Sequence, residues 1–262
     1  MDLGLNKQIA LVAAASQGLG KAVARRLSQE GAEVAICSRS KDAIHSAAED
    51  IAAQTGNAVF PYAADLTDEQ QVREWVGAAV NHFGGLDIMV ANCGGPPPGA
   101  FEELSADQWR KSIEMNLMST VYLCQESVPY MKQRGGGRIV TITSIAARQP
   151  IPGLIHSTAA RAGVLGLCKG LANELAPYNI LVNSLCPGFT RTERIIKLAR
   201  TRMEQEGISE AEAYAAWEQQ IPLGRLGEPE EFADMAAFLC SARSSYITGA
   251  VIPIDGGWIQ GI

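Results

Sequence analysis

The 262-residue chain has no apolar run approaching the roughly eighteen residues that a membrane-spanning helix needs. Its first apolar stretch, Ile9 to Ala15, is short and flows into a glycine-rich turn, so it reads as a strand and not as a secretory signal. Close cysteine pairs are missing too. Cys37, Cys93, Cys124, Cys168, Cys186 and Cys240 stand far apart, which argues against a metal site or a disulfide frame and predicts reduced thiols in a cytoplasmic protein. There is no basic excess: 22 lysines and arginines face 28 acids, a net charge of −6, which leaves no footprint for nucleic acid. An anionic small molecule would need local arginines instead. Histidine is scarce, at 3, so few side chains titrate near neutrality. No linker and no internal repeat interrupts the chain.

What is present describes an ordinary globule, 47% apolar and 19% charged, of a length that suits one well-buried α/β domain over residues 1–262. Short apolar runs at Gln8–Val12, Glu33–Cys37, Ala58–Tyr62, Leu86–Val90, Arg138–Thr143, Ile180–Leu185 and Ala250–Ile254 read as strands. Between them lie amphipathic patterns. One carries Val72, Trp75, Val76, Ala79, Val80 and Phe83 on a single face; another carries Val164, Leu167, Leu171 and Leu175. Strands alternating with such helices predict βαβ units and a parallel sheet covered on both faces.

The first strand runs into Ala13-Ala-Ala-Ser-Gln-Gly-Leu-Gly20 at the start of a helix. Gly18 and Gly20 there would let backbone amides approach a pyrophosphate at the positive helix end. Ser38-Arg39 ends the second strand, Asp65-Leu66 follows the third, and Asn92-Cys-Gly94 follows the fourth. Further landmarks are Asn116, Ser144, Pro187-Gly188, Ile247-Thr-Gly249 and Asp255-Gly-Gly257. This order resembles the short-chain dehydrogenase/reductases, with their TGxxxGxG, DL and NAG signatures, and the resemblance spans nearly the whole chain. It implies a doubly wound, Rossmann-type parallel sheet with a small helical substrate cap at residues 190–219. It also implies a nicotinamide site built from Ala14, Ser16, Gln17, Gly18, Leu19, Gly20, Ser38, Arg39, Asp65, Leu66, Asn92, Gly94, Arg161, Pro187, Gly188 and Thr190. One departure lies in the turn, where Ala14 stands for the family's first glycine and adds a methyl group where positive φ is disfavoured. Arg39 is either a solvated surface side chain or a fork for a 2′-phosphate; with neutral Ser38 beside it, the second reading predicts NADP(H) over NAD(H).

By the same resemblance, the catalytic positions are Asn116, Ser144, Ser157 and Arg161. The last two replace the family's tyrosine and lysine. A helix starting at Ser157 would place Ser157 and Arg161, four residues apart, on one face toward Ser144. A phenol, with a pKa near 10, can be tuned to give up a proton, whereas an aliphatic hydroxyl donates a hydrogen bond but hardly a proton. Arginine keeps the charge but does not join a proton relay. His156 is a substitute acid only if the helix starts at or after it. Tyr214, on the cap, either swings inward or packs; Cys93 reads as a small buried residue.

Asn92 to Gly99, stiffened by three prolines, should wall the ligand crevice. Arg148, Arg191 and Arg194 are open to two readings, an anion grip or solvated surface. The closing segment, Gly224 to Gly257, resembles that of family members that assemble as homotetramers, with a homodimer as the alternative. The expected function is an NADP(H)-dependent oxidoreductase acting on a ketone or secondary alcohol, of the kind of the β-ketoacyl carrier-protein reductases, with altered proton delivery. Two rivals are an NADPH-binding regulatory protein with little turnover and a lyase resembling the halohydrin dehalogenases, which carry arginine at the lysine position.

Overall fold

The computed structural model describes residues 2–261. One 7-stranded sheet organises them, in the spatial order β3-β2-β1-β4-β5-β6-β7 with every pairing parallel. The strands are β1 (Ile9–Val12), β2 (Glu33–Ser38), β3 (Val59–Ala63), β4 (Ile88–Ala91), β5 (Gly137–Ile142), β6 (Ile180–Pro187) and β7 (Val251–Ile254). Apolar runs form these strands because both sheet faces are covered. In β1, Ala10 and Val12 enter one core, with residues of α1 (Gly18–Gln29), α2 (Lys41–Thr55) and α9 (Pro229–Cys240). Ile9 and Leu11 enter the other, with residues of α3 (Glu69–Phe83), α5 (Ser119–Arg134) and α6 (Ile155–Leu175). Alternation along the strand therefore separates two apolar cores, not a core from solvent.

Local chemistry sets several helix starts. The Ser40 hydroxyl accepts from the Ala43 amide at 3.3 Å, and Asp68 accepts from the amides of Gln70 and Gln71 at 2.9 and 3.2 Å. Two boundaries differ from the sequence reading. Strand β5 stops at Ile142, so Ser144 lies just beyond it, and α6 starts at Ile155, before Ser157. The pattern also missed α4 (Ala106–Ile113) and α5, which are joined by a π-helical turn at Glu114–Met118.

The amino-terminal ends of the strands are tied by Asp87. Its carboxylate accepts from the Ile9 amide at 2.9 Å and from Arg134 Nε and Nη2 at 2.9 and 3.1 Å. At the opposite ends, β1 sits between β2 and β4, where the chain reverses its direction of winding. Such a switch point opens a crevice beyond the carboxyl ends of the strands. Over it stand α7 (Glu193–Glu206) and α8 (Glu210–Glu218), packed around Ala199, Ala213, Tyr214 and Leu226. A parallel bridge between Thr190 and Gly227 fixes their base.

Candidate active site at the carboxyl ends of the strands

The turn after β1 is held from both sides. The Ala13 amide donates to the Val90 carbonyl and the Ala15 amide to that of Cys37, each at 3.0 Å. Ala14 adopts φ +48°, a left-handed conformation that costs an alanine about 1–2 kcal/mol. Its carbonyl accepts from Asn92 Nδ2 at 3.1 Å, so the turn after β4 helps to hold that conformation. Gly20 sits underneath: a Cβ there would lie 2.6 Å from the Ala14 oxygen and 2.7 Å from Asn92 Nδ2. No side chain caps α1, which leaves its first amides available to an anion. Ser16 and Leu19 are half-buried around this turn and Gln17 is exposed.

Along the rim, Ser38 donates to the Ser40 carbonyl at 3.1 Å. Arg39 is exposed and forms no ion pair among the described residues. Asp65 accepts from the Thr67 amide and hydroxyl at 3.0 and 2.8 Å, and Leu66 is buried beside it. The Gly188 amide, after Pro187, donates to Ile254 at 2.9 Å, and Thr190 is buried at the cap base. Burial pushes the Cys37 thiol, next to the Ala14 turn, up to about 12, so it stays protonated.

Arg161 binds the second half of the site together. Its Nε donates to Ser157 Oγ at 3.3 Å, its Nη1 to the carbonyls of Thr143 and Ile142 at 2.9 and 3.3 Å, and its Nη2 to that of Gly94 at 3.0 Å. Asn116 Nδ2 reaches the same Gly94 carbonyl at 2.8 Å and Cys93 Sγ at 3.2 Å. Cys93 therefore steadies the asparagine, a link with no signal in the sequence. Asn116 Oδ1 is buried without a partner, and the residue itself lies in the π-helical turn, a distortion that often marks functional sites. Ser144 Oγ accepts from the Ala146 amide at 3.1 Å, which leaves its own O–H free to donate. The expected face thus forms: Ser157 and Arg161 are hydrogen-bonded, and Arg161 reaches the backbone just before Ser144.

His156 does not meet the condition set by the sequence. Because α6 begins at Ile155, the residue lies inside the helix, where its ring is buried edge-to-face with Trp109 at 6.2 Å between centroids. No hydrogen bond joins it to Ser144, Ser157 or Asn116 among the described residues, and Nδ1 is unpartnered. Tyr214 packs in the cap core, 6.0 Å from the Trp217 ring, with the Arg191 guanidinium 4.9 Å over its face. Arg191 also pairs with Glu228 at 3.2 Å. The crevice wall is tied across by the Gly99 amide, which donates to Gly153 at 2.8 Å. Arg194 alone of the cap arginines named above leans into the crevice, against Gly95.

Chemically, the arrangement offers two hydroxyl donors backed by a fixed positive charge, beside a turn suited to a phosphorylated ligand. A family model described as Enoyl-(Acyl carrier protein) reductase matches residues 13–259. The 3-oxoacyl-(acyl-carrier-protein) reductase of Aquifex aeolicus is 34% identical over 257 residues, which cover 98% of this chain and 99% of that one. Dehydrogenase/reductase SDR family member 4 of Homo sapiens is 35% identical over 254 residues, covering 97% and 88%. The solved structure of L-sorbose reductase from Gluconobacter frateurii, complexed with NADPH and L-sorbose, matches with a TM-score of 0.97 at 31% identity over 100% of both chains.

Proposed function

The chain belongs to the short-chain dehydrogenase/reductase family, oxidoreductases of CH–OH and C=O groups, and from that premise we propose an NADP(H)-dependent carbonyl reductase without a phenolic proton donor. The residues fit such a cofactor. Gly20 allows close backbone approach, the first amides of α1 are uncapped, and Arg39 is exposed and unpaired among the described residues at the end of β2. Its planar fork suits a 2′-phosphate, whereas an acid there would repel one. The NADPH complex of the sorbose reductase supports the same preference. When bound, the cofactor supplies or accepts the hydride.

The single observation that carries the reading is the hydrogen bond from Arg161 to Ser157 Oγ. Because Ser157 accepts there, its own hydrogen is left to donate to a substrate oxygen, with Ser144 as the second donor. Arg161 places a positive charge behind them. Two oriented donors and a cation stabilise developing negative charge on a carbonyl oxygen. Neither serine gives up its proton, so water entering the crevice supplies it. Asn116, steadied by Cys93 and Gly94, holds its free Oδ1 where it can order that water. The free, scattered cysteines support a reducing, cytoplasmic setting. Strand β7, half-buried at the sheet edge beside fully exposed Tyr246, supports assembly as a homotetramer or homodimer.

A second reading, an NADPH-binding protein with little turnover, draws on Arg161 as well. Its guanidinium already serves four protein acceptors, which leaves little for a ribose. Titration with NADPH and NADH, followed by turnover of a carbonyl panel, separates the two. The reductase reading expects saturable binding with NADPH preferred and a kcat that falls about 10²- to 10³-fold in Ser144→Ala. Binding without turnover of any carbonyl favours the second reading. No affinity for either nucleotide removes both.

A further inference from the structure

We propose that the substrate is an anion: a carbonyl compound carrying a carboxylate or phosphate that the Arg194 guanidinium grips beside the catalytic serines. The inference rests on the reductase reading and adds the substrate class. The starting point is the first turn of α7, whose consecutive side chains separate by about 100°. Glu193 turns toward the glycine turn, its Oε2 3.5 Å from where a Cβ on Gly18 would lie. Arg194 turns instead to the loop after β4, where a Cβ on Gly95 would collide with its guanidinium. The neighbouring Gly94 carbonyl is the one that Arg161 and Asn116 both hold, so Arg194 and Arg161 stand at adjacent glycines of one loop.

These cations have no counter-ion among the described residues. Arg191 is taken by Glu228 and the Tyr214 ring, and Arg202 by Glu206. Arg194, Arg161 and Arg148 form no ion pair among the described residues. Although Arg194 is exposed as a residue, desolvation of its guanidinium and then the charge of Arg161 push its pKa down. Exposed Arg148 acts on one thiol that Arg161 also reaches. Burial raises the Cys186 thiol, while the positive charges of Arg148 and Arg161 both act to lower it. Like charges crowded into a crevice oppose folding unless a bound anion offsets them. A guanidinium presents paired N–H groups that match a carboxylate or phosphate, and Arg194 donates to no protein acceptor among the described residues. The anion is not the cofactor's pyrophosphate, because Arg194 lies at Gly95 and not at the glycine turn proposed to hold that group.

The test compares 2-oxo and 3-oxo carboxylates with their methyl esters, using NADPH-loaded wild type, Arg194→Met, Arg194→Lys and Arg191→Met. We expect wild type to favour the acid in kcat/KM. That preference falls about tenfold to a hundredfold in Arg194→Met, partly returns in Arg194→Lys and persists in Arg191→Met. NADPH affinity, read separately by fluorescence, distinguishes substrate from cofactor: a loss in Arg194→Met confined to NADPH overturns the proposal. A wild type without preference for any acid overturns it too, as does an equal preference in Arg194→Met. Calorimetric titration of the NADPH-loaded protein with the same pairs decides without turnover. Acid-selective binding that requires Arg194, with no reduction, sinks the reductase reading and keeps the anion site.

Discussion

At the amino-terminal ends of the strands, Asp87 accepts two hydrogen bonds from Arg134 and one from the Ile9 amide. At the carboxyl ends, Arg161 meets only carbonyls and a hydroxyl, Arg39 and Arg194 have no ion-pair partner among the described residues, and Asn116 keeps one unpartnered oxygen. Ala14 adds a left-handed backbone at this second end. At the first end the Asp87 carboxylate is matched by donors within the protein, which favours folding. The other leaves donors and charge without protein partners, at a cost in stability of the kind functional sites carry.

The contrast is broken most strongly at the matched end. Asp87→Ala removes both partners' acceptor and leaves the buried Ile9 amide unsatisfied while half-exposed Arg134 turns to water, so urea denaturation should show a loss of about 2 kcal/mol. NADPH affinity at low temperature should stay near wild type. If affinity falls as steeply as stability, the two ends are not separable. Gly20→Ala sharpens the comparison from the other side. The added Cβ overlaps the Ala14 oxygen and Asn92, which costs about 1.5 kcal/mol, in the usual range for overpacking. Here NADPH affinity should fall more than tenfold; an unchanged affinity would detach the turn from cofactor binding.

The smallest effect concerns an exposed pair beside the base of the cap. Arg225 and then the Glu228 amide hold the Glu231 carboxyl down to about 2, against a modest opposing effect of burial. A folded value below the unfolded one means that the contribution is present above about pH 4.5 and is lost as pH falls toward 2. Glu231 is half exposed, so solvent screening limits it to about 0.5 kcal/mol. Glu231→Gln should therefore lower stability slightly at pH 7, and the gap from wild type should close in acid. A gap that widens in acid would reverse the sign.

The sheet was legible because its strands are buried on both faces, so Ile9–Val12 and Ile180–Leu185 stand out as unbroken apolar runs. The start of α6 was not. Leu154 precedes it without a side-chain cap, so no Ser, Thr, Asp or Asn marked the boundary, and Ser157 looked like the first turn. That two-residue difference put His156 inside the helix and against Trp109. Family order named Ser144, Ser157, Arg161 and Asn116 as candidates, but spacing alone could not tell Arg191 from Arg194. Their surroundings differ because Arg191 precedes α7 whereas Arg194 lies in its first turn, and only the folded cap supplies Glu228 and Tyr214 to one and Gly95 to the other. The Cys93 contact to Asn116 joins two distant segments and left no local pattern.

The π-helical turn at Glu114–Met118 makes α4 and α5 one rod with a change of phase in the middle. On the upstream side Trp109 faces His156; within the turn Asn116 faces the loop after β4. Excising one residue there would restore a regular helix but rotate one half against the other by about 100°. Either the tryptophan would leave its histidine or the asparagine would leave Gly94. A local surplus of one residue thus works as a gear, letting a single rod serve the packing of one helix and the chemistry of another.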